Sequence, residues 1–163
     1  MTVLVTGADG FVGRWLLRAL REAGHVVIGA KNPGAPRDDG LSDAERGAVR
    51  WVPLELADLA SVRAVAGLPC DAVIHLAAMA SGGDALADPG LAWTVNAAGT
   101  ARLVGELGQR RRLGDADPIV VIASTAEVYG AGASRPIVET DPIAPRSPYG
   151  AAKCGVPRQV YVW

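Results

Sequence analysis

Tyr149 and Lys153 stand four residues apart in a segment whose pattern predicts a helix, so both side chains leave one face and can meet one substrate. A tyrosine transfers protons near neutrality only if its phenol ionises more easily than usual. An ordinary tyrosine has a pKa of about 10, and lowering it by about three units takes roughly 4 kcal/mol of preference for the phenolate. A lysine ammonium about 4 Å away supplies roughly that much at an effective dielectric near 20. Spacing of four is common in helices, and the alternative is an amphipathic surface with no chemistry. The pair gains weight from its surroundings. Thr125 ends an apolar run in Ser124-Thr125-Ala126-Glu127-Val128-Tyr129-Gly130, and Pro136, Glu139, Pro142 and Pro145 punctuate the approach to Tyr149.

A second constellation lies at the other end of the chain. The strand-like run Val3 to Val5 leads directly into Thr6-Gly7-Ala8-Asp9-Gly10-Phe11-Val12-Gly13, after which a helical pattern begins. That context is what a dinucleotide fingerprint requires. Side chains at Gly7, Gly10 and Gly13 would hold the backbone away from a pyrophosphate, whose charge is favoured at a helix N-terminus. A residue closing the second strand selects between NAD and NADP, because a carboxylate there binds the ribose 2′-hydroxyl and repels a 2′-phosphate. Lys31 stands at that place and would attract the phosphate, with help from Arg14 or Arg37, which favours NADP; the alternative is an exposed loop cation.

The elements that must position these residues alternate between strand-length apolar runs and helix-length amphipathic segments, the mark of a parallel sheet with helices on both faces. Strands are expected at Val3 to Val5, Val26 to Ala30, Val49 to Val52, Ala72 to Leu76 and Ile119 to Ala123. The last is wholly apolar, as a doubly covered central strand is. Helices are expected from Phe11 to Ala23, with Gly24 as terminator, and from Leu59 to Val65. A long one is opened by Asp88 as cap and Pro89 at its first position, and the last begins near Ser147. Residues Asn32 to Arg46 and Gly130 to Arg146 read as loops, the second long enough to suggest function. One α/β domain, a doubly wound parallel sheet of about five strands in the order 3-2-1-4-5, accounts for residues 1–163.

The 163 residues are half hydrophobic and one-fifth charged, with a formal net charge of -1, which argues against a nucleic-acid binder. The basic run Arg110-Arg111-Arg112 falls at the end of the long helix, where cations complement the dipole. No apolar run reaches the roughly 18 residues that span a bilayer, and Met1 to Val5 has no charged leader, so a cytoplasmic protein is expected. Cys70 and Cys154 are far apart, and His25 and His75 form no cluster, so neither a disulfide nor a metal site is expected.

Taken with His75-Leu76-Ala77-Ala78 and Asn96-Ala97-Ala98-Gly99-Thr100, these motifs resemble the extended short-chain dehydrogenases, and among them the nucleotide-sugar epimerase/dehydratase branch. The resemblance runs in the family's order over essentially the whole chain. It implies a Rossmann fold and hydride transfer at a carbinol carbon of a small molecule such as a nucleotide sugar. It implies Thr125, Tyr149 and Lys153 as catalytic residues, Thr125 binding the reacting oxygen and Lys153 also holding the nicotinamide ribose. The cofactor set it implies comprises Gly7, Gly10, Phe11, Val12, Gly13, Lys31, Asp58, Leu59, Leu76, Ala77, Ala78, Asn96, Tyr149 and Lys153. Asp58 would bind the adenine amino group, although it can equally cap the next helix. Glu127 matches only part of a dehydratase acid pair, and epimerase, dehydratase and reductase stay open.

The chain departs from the family after Lys153. The family's outer strands and C-terminal substrate domain are expected to be missing, Gly155 and Pro157 weaken the final helix, and Arg158 to Trp163 do not follow the family's pattern. Strand five is then a sheet edge whose apolar surface a second copy would cover, so a homodimer is an expectation. The alternative to an active enzyme is a non-catalytic nucleotide-binding remnant.

Overall fold

The computed structural model describes residues 1–34, 40–131 and 135–160. Five strands form one sheet: β1 (Thr2–Thr6), β2 (Val26–Lys31), β3 (Arg50–Pro53), β4 (Ala72–His75) and β5 (Ile119–Ile122). Each adjacent pair is parallel and the order is β3-β2-β1-β4-β5. This is the doubly wound Rossmann-like arrangement expected, with the direction of winding reversing between β1 and β4, where such sheets open a crevice at their carboxyl ends.

Alternation along β1 divides the core. Val3 and Val5 face α1 (Phe11–Glu22) and the short α2 (Asp43–Gly47), joining Leu17, Val27, Leu41 and Val49. Leu4 faces the opposite way, with Ile28, Val73, Val62 and Val65 of α3 (Leu59–Ala66), and Leu103 and Leu107 of α6 (Thr100–Leu113). Because β1 lies between layers, Val3, Leu4 and Val5 are all buried, which is why they read as an unbroken apolar run.

Several elements differ from expectation. Helix α2 occupies part of the stretch read as loop. Ser42 caps it in a reciprocal capping box with Glu45, and Arg18 of α1 pairs with Glu45 and donates to the Gly40 carbonyl. The long helix opens as α5 (Pro89–Ala92) under the Asp88 cap, but passes through a π-helical segment, Trp93–Gly99, before continuing as α6. Another short helix, α4 (Gly82–Ala87), precedes it with Ser81 as cap. The final helix, α7 (Pro148–Val160), runs through Gly155 and Pro157, so the missing proline N–H removes one bond without ending it.

β5 overturns one reading and supports another. It is a sheet edge, and Ile119 and Val121 are 64% and 53% exposed, so it is not doubly covered. Its composition still follows the central-strand pattern, since sequence reports hydrophobicity while only packing decides coverage. No helix among the described residues is long and apolar enough to cross a membrane, and no group of three His, Cys, Asp or Glu among them could hold a metal ion.

Candidate active site

The turn between β1 and α1 is built on close approach. Gly7 has a φ of 65°, and a Cβ on it would stand 2.8 Å from the Ala77 nitrogen; a Cβ on Gly13 would stand 2.3 Å from the Gly7 carbonyl oxygen. The first glycine thus lets the turn lie against the β4 loop, and the third lets α1 sit on the turn. Gly10 precedes α1 with no side-chain cap bond, which leaves the first N–H groups of the helix without that partner, as an anion site requires. Phe11 and Val12 are exposed beside it.

This turn forms one wall of a cleft of about 800 Å³ at the carboxyl ends of the strands. Of the residues expected to hold a dinucleotide, Gly7, Gly10, Phe11, Val12, Gly13, Lys31, Leu76, Ala77 and Ala78 line it. A glycine cradle over an uncapped helix N-terminus, continued by apolar walls, fits a pyrophosphate flanked by two nucleosides.

Asp58 and Leu59 are not in this lining. The Asp58 carboxylate caps α3, accepting the N–H groups of Ala60 and Ser61. Glu55 and Leu56, directly beyond β3, line the cleft instead. Glu55 accepts from the Asn32 amide at 2.9 Å, and Asn32 in turn accepts the Gly34 N–H. Sequence reasoning passed over Asn32 and Glu55. The usable signal was that clefts in such sheets open just past strand ends, which brings the residue two after Pro53 to the wall. Lys31 lines the cleft with its ammonium 5.5 Å from the Trp51 ring centre, a cation–π contact on the α2 side of the sheet. Arg14 packs over Phe11, and its Nε is buried without a hydrogen-bond partner. Arg37 lies outside the described residues.

Beneath the cleft a buried polar chain ties three elements together. Thr6 Oγ1 accepts the Ala77 N–H at 3.1 Å and lies 2.7 Å from His75 Nδ1, while His75 Nε2 lies 3.0 Å from Thr100 Oγ1. His75 is 1% exposed, and burial, reinforced by the positive charge of Lys153, lowers its pKa to about 4. The imidazole is therefore neutral and braces β1 against β4 and α6. Asn96, in the π-helical segment, is buried rather than lining the cleft. Its side chain accepts the Met79 N–H and donates to the Met79 carbonyl, fixing the loop beyond Ala77 and Ala78. Gly99 lets that segment contact Leu56, where a Cβ would come within 2.8 Å.

Thr125 follows β5 and caps a 3₁₀ turn, Ala126–Tyr129, its hydroxyl accepting the Glu127 N–H. Tyr149 is half-buried in the first turn of α7, and Lys153 one turn later is 3% exposed. The Lys153 ammonium donates at 2.7 Å to the carbonyl of Ala123, a residue of the cleft wall. Burial lowers the lysine pKa. Thr125 lies just past the carboxyl end of β5, Lys153 is tied to Ala123 at the same end, Tyr149 sits one turn before Lys153 on α7, and none of the three is in the cleft lining.

A family model described as the NAD dependent epimerase/dehydratase family matches residues 3–163. A UDP-glucose 4-epimerase of Mycolicibacterium smegmatis is 34% identical over 99% of this chain and 50% of its own length. A D-erythronate dehydrogenase of Cupriavidus necator is 36% identical over 94% of the chain and 47% of its own. Among solved structures, a UDP-glucose-4-epimerase from Stenotrophomonas maltophila with bound NAD and formylated UDP-arabinopyranose superimposes with a TM-score of 0.82. It is 28% identical and is matched over 99% of this chain and 48% of the other. The chain thus spans about half the length of these relatives.

Proposed function

Because the chain belongs to the NAD-dependent epimerase/dehydratase family, we propose that it binds NADP or NAD in the cleft and moves hydride at a carbinol carbon of a nucleotide sugar. The observation that carries this reading is the join between two sites. Gly7, Gly10, Gly13 and Ala123 line one cleft, and Lys153 is anchored on the Ala123 carbonyl, so the helix that carries Tyr149 is tied to the wall along which a dinucleotide would lie. The nicotinamide ring supplies the acceptor and donor of the hydride. Tyr149 would take the hydroxyl proton as the hydride leaves the carbon for the nicotinamide, so that the alcohol loses two electrons and two protons in all, one proton to Tyr149 and the other with the hydride, and becomes a carbonyl. Thr125, whose hydroxyl oxygen accepts the Glu127 N–H, keeps its hydroxyl proton to donate to the same oxygen. Lys153, held on Ala123, would bind the nicotinamide ribose.

At the adenosine end, Lys31 favours NADP, since a cation there attracts a 2′-phosphate. Glu55, joined to Asn32 in the cleft wall, is a second carboxylate beside Asp58 for the adenine end. The likeness to D-erythronate dehydrogenase favours a second reading, simple oxidation of a sugar acid, with the same catalytic residues.

Calorimetric titration with NAD and NADP, followed by turnover on nucleotide sugars and sugar acids, tests both. Tight binding of NADP with interconversion of 4-epimeric UDP-sugars supports the first reading, and oxidation of a sugar acid alone supports the second. Cofactor binding with no hydride transfer in wild type would reduce the protein to a nucleotide-binding remnant. Failure to bind either dinucleotide would overturn all of these.

A further inference from the structure

Glu127 stands beside the candidate catalytic residues and has no part in the chemistry above, yet it makes contacts in three directions. Its N–H donates to Thr125 Oγ1 at 3.3 Å. Its carboxylate accepts the Ser147 hydroxyl at 2.6 Å. Its carbonyl accepts the Gly130 N–H at 3.1 Å and lies 3.0 Å from where a Cβ on Gly150 would stand. Ser147, for its part, opens α7: its Oγ accepts the Gly150 N–H at 3.0 Å and its carbonyl accepts the Ala151 N–H at 2.9 Å. One residue therefore touches both the threonine that closes β5 and the first turn of the helix that carries Tyr149.

Direct contact matters here because the covalent path between the two is long. From Glu127 to Ser147 the chain runs through 20 residues, most of them outside regular structure, and a connection of that length leaves its ends free to vary in separation. Other ties cross the gap, Lys153 to Ala123 and the Ala144 N–H to the Val128 carbonyl, but neither reaches Thr125 or the start of α7. A carboxylate accepting the hydroxyl of a helix-capping serine is also electrostatically favoured, since the positive end of the helix dipole lies there.

Resting on the assignment of Thr125 and Tyr149 above, we propose that Glu127 is a positioning residue whose carboxylate, through Ser147, holds Tyr149 at a fixed distance from Thr125. Its role is acceptance of a hydrogen bond, not exchange of a proton with substrate. Glutamine can do the first and not the second, which separates positioning from acid–base chemistry.

The chain contains three tyrosines, so ¹³C labelling of the tyrosine ring gives a simple spectrum, with the Tyr149 signal identified by its loss in Tyr149→Phe. Glu127→Ala and Ser147→Ala are each expected to move the Tyr149 signal, the double variant to move it no further than either alone, and Glu127→Gln to restore the wild-type position. In turnover, Glu127→Ala should lower kcat about tenfold at nearly constant KM, with Glu127→Gln within about twofold of wild type. An unmoved Tyr149 signal in Glu127→Ala, additive shifts in the double variant, or a Glu127→Gln variant that behaves like the alanine would each overturn the clamp. Should Glu127→Ala not fold, Ser147→Ala and Glu127→Gln still carry the comparison. Full hydride transfer by Tyr149→Phe would instead remove the catalytic assignment while leaving the measured coupling between Glu127 and Ser147 intact.

Discussion

The two ends of the cleft are held by different means. At the phosphate turn, backbone approaches backbone over a floor of Leu4, Val5, Val73 and His75, each 1% exposed or less, with helices on both faces of the sheet. At the catalytic border, β5 is an edge with Ile119 and Val121 open to solvent, and single hydrogen bonds hold Thr125 to the Glu127 N–H, Lys153 to the Ala123 carbonyl, and the first turn of the helix that carries Tyr149, through the Gly150 N–H, to Ser147. The contrast follows from position. A turn that leaves a central strand rests on packed backbone at Gly7 and Gly13 and can be fixed by shape, whereas residues beyond an edge strand must be tied down one by one.

The largest test of that contrast is Gly13→Ala. A methyl 2.3 Å from the Gly7 carbonyl has only backbone to displace, so the substitution should cost about 3 kcal/mol and abolish dinucleotide binding, as urea unfolding and calorimetry would show. A normal affinity in this variant would mean that the turn is not the rigid end.

Next in size is acid sensitivity. His75 has a pKa near 4 in the fold and about 6.5 when unfolded, so between these values the unfolded chain binds the extra proton. Stability therefore rises with pH through this window, and up to about 3 kcal/mol is lost as pH falls from 6.5 to 4. Replacing His75 by Gln should flatten that limb in unfolding curves collected at several pH values. An unchanged slope would show that the buried histidine is not the group responsible.

A matched pair of truncations follows. Val73→Ala, in the buried central strand, should cost about 2 kcal/mol, and Val121→Ala, on the open edge, less than about 0.5 kcal/mol. Equal losses would show that the edge is covered in solution. The smallest expected effect is at the adenosine end. Lys31→Asp should shift preference from NADP toward NAD by about tenfold, roughly 1.4 kcal/mol, read from the ratio of the two dissociation constants.

The central elements were legible because each has a local cause. Val3 to Val5 is apolar at every position since both faces of β1 are covered, Gly24 ends α1 with a φ of 79°, and Asp88 with Pro89 opens a helix by capping geometry alone. Helix α2 was legible too, in Ser42-x-x-Glu45, but was overshadowed by the proline and glycine residues around it. That Glu55 lines the cleft while Asp58 caps α3 was harder to foresee. Glu55 lies two residues and Asp58 five residues after Pro53, and which carboxylate stands in the cleft wall and which caps α3 depends on where the strand stops and the helix begins.

What the sequence determined by itself was the set of local commitments: glycines where no Cβ fits, caps where helices start, apolar runs for strands, and the spacing that puts Tyr149 and Lys153 on one helix face. These depend on interactions within a few residues, so they can be read along the chain. Tertiary structure alone decided that Lys153 is anchored on Ala123, that His75 is buried and neutral between Thr6 and Thr100, that Asn96 holds Met79, and that Glu127 meets Ser147. Each of those contacts joins residues from 17 to 69 positions apart, and their formation depends on the packing of whole elements, which no local pattern encodes.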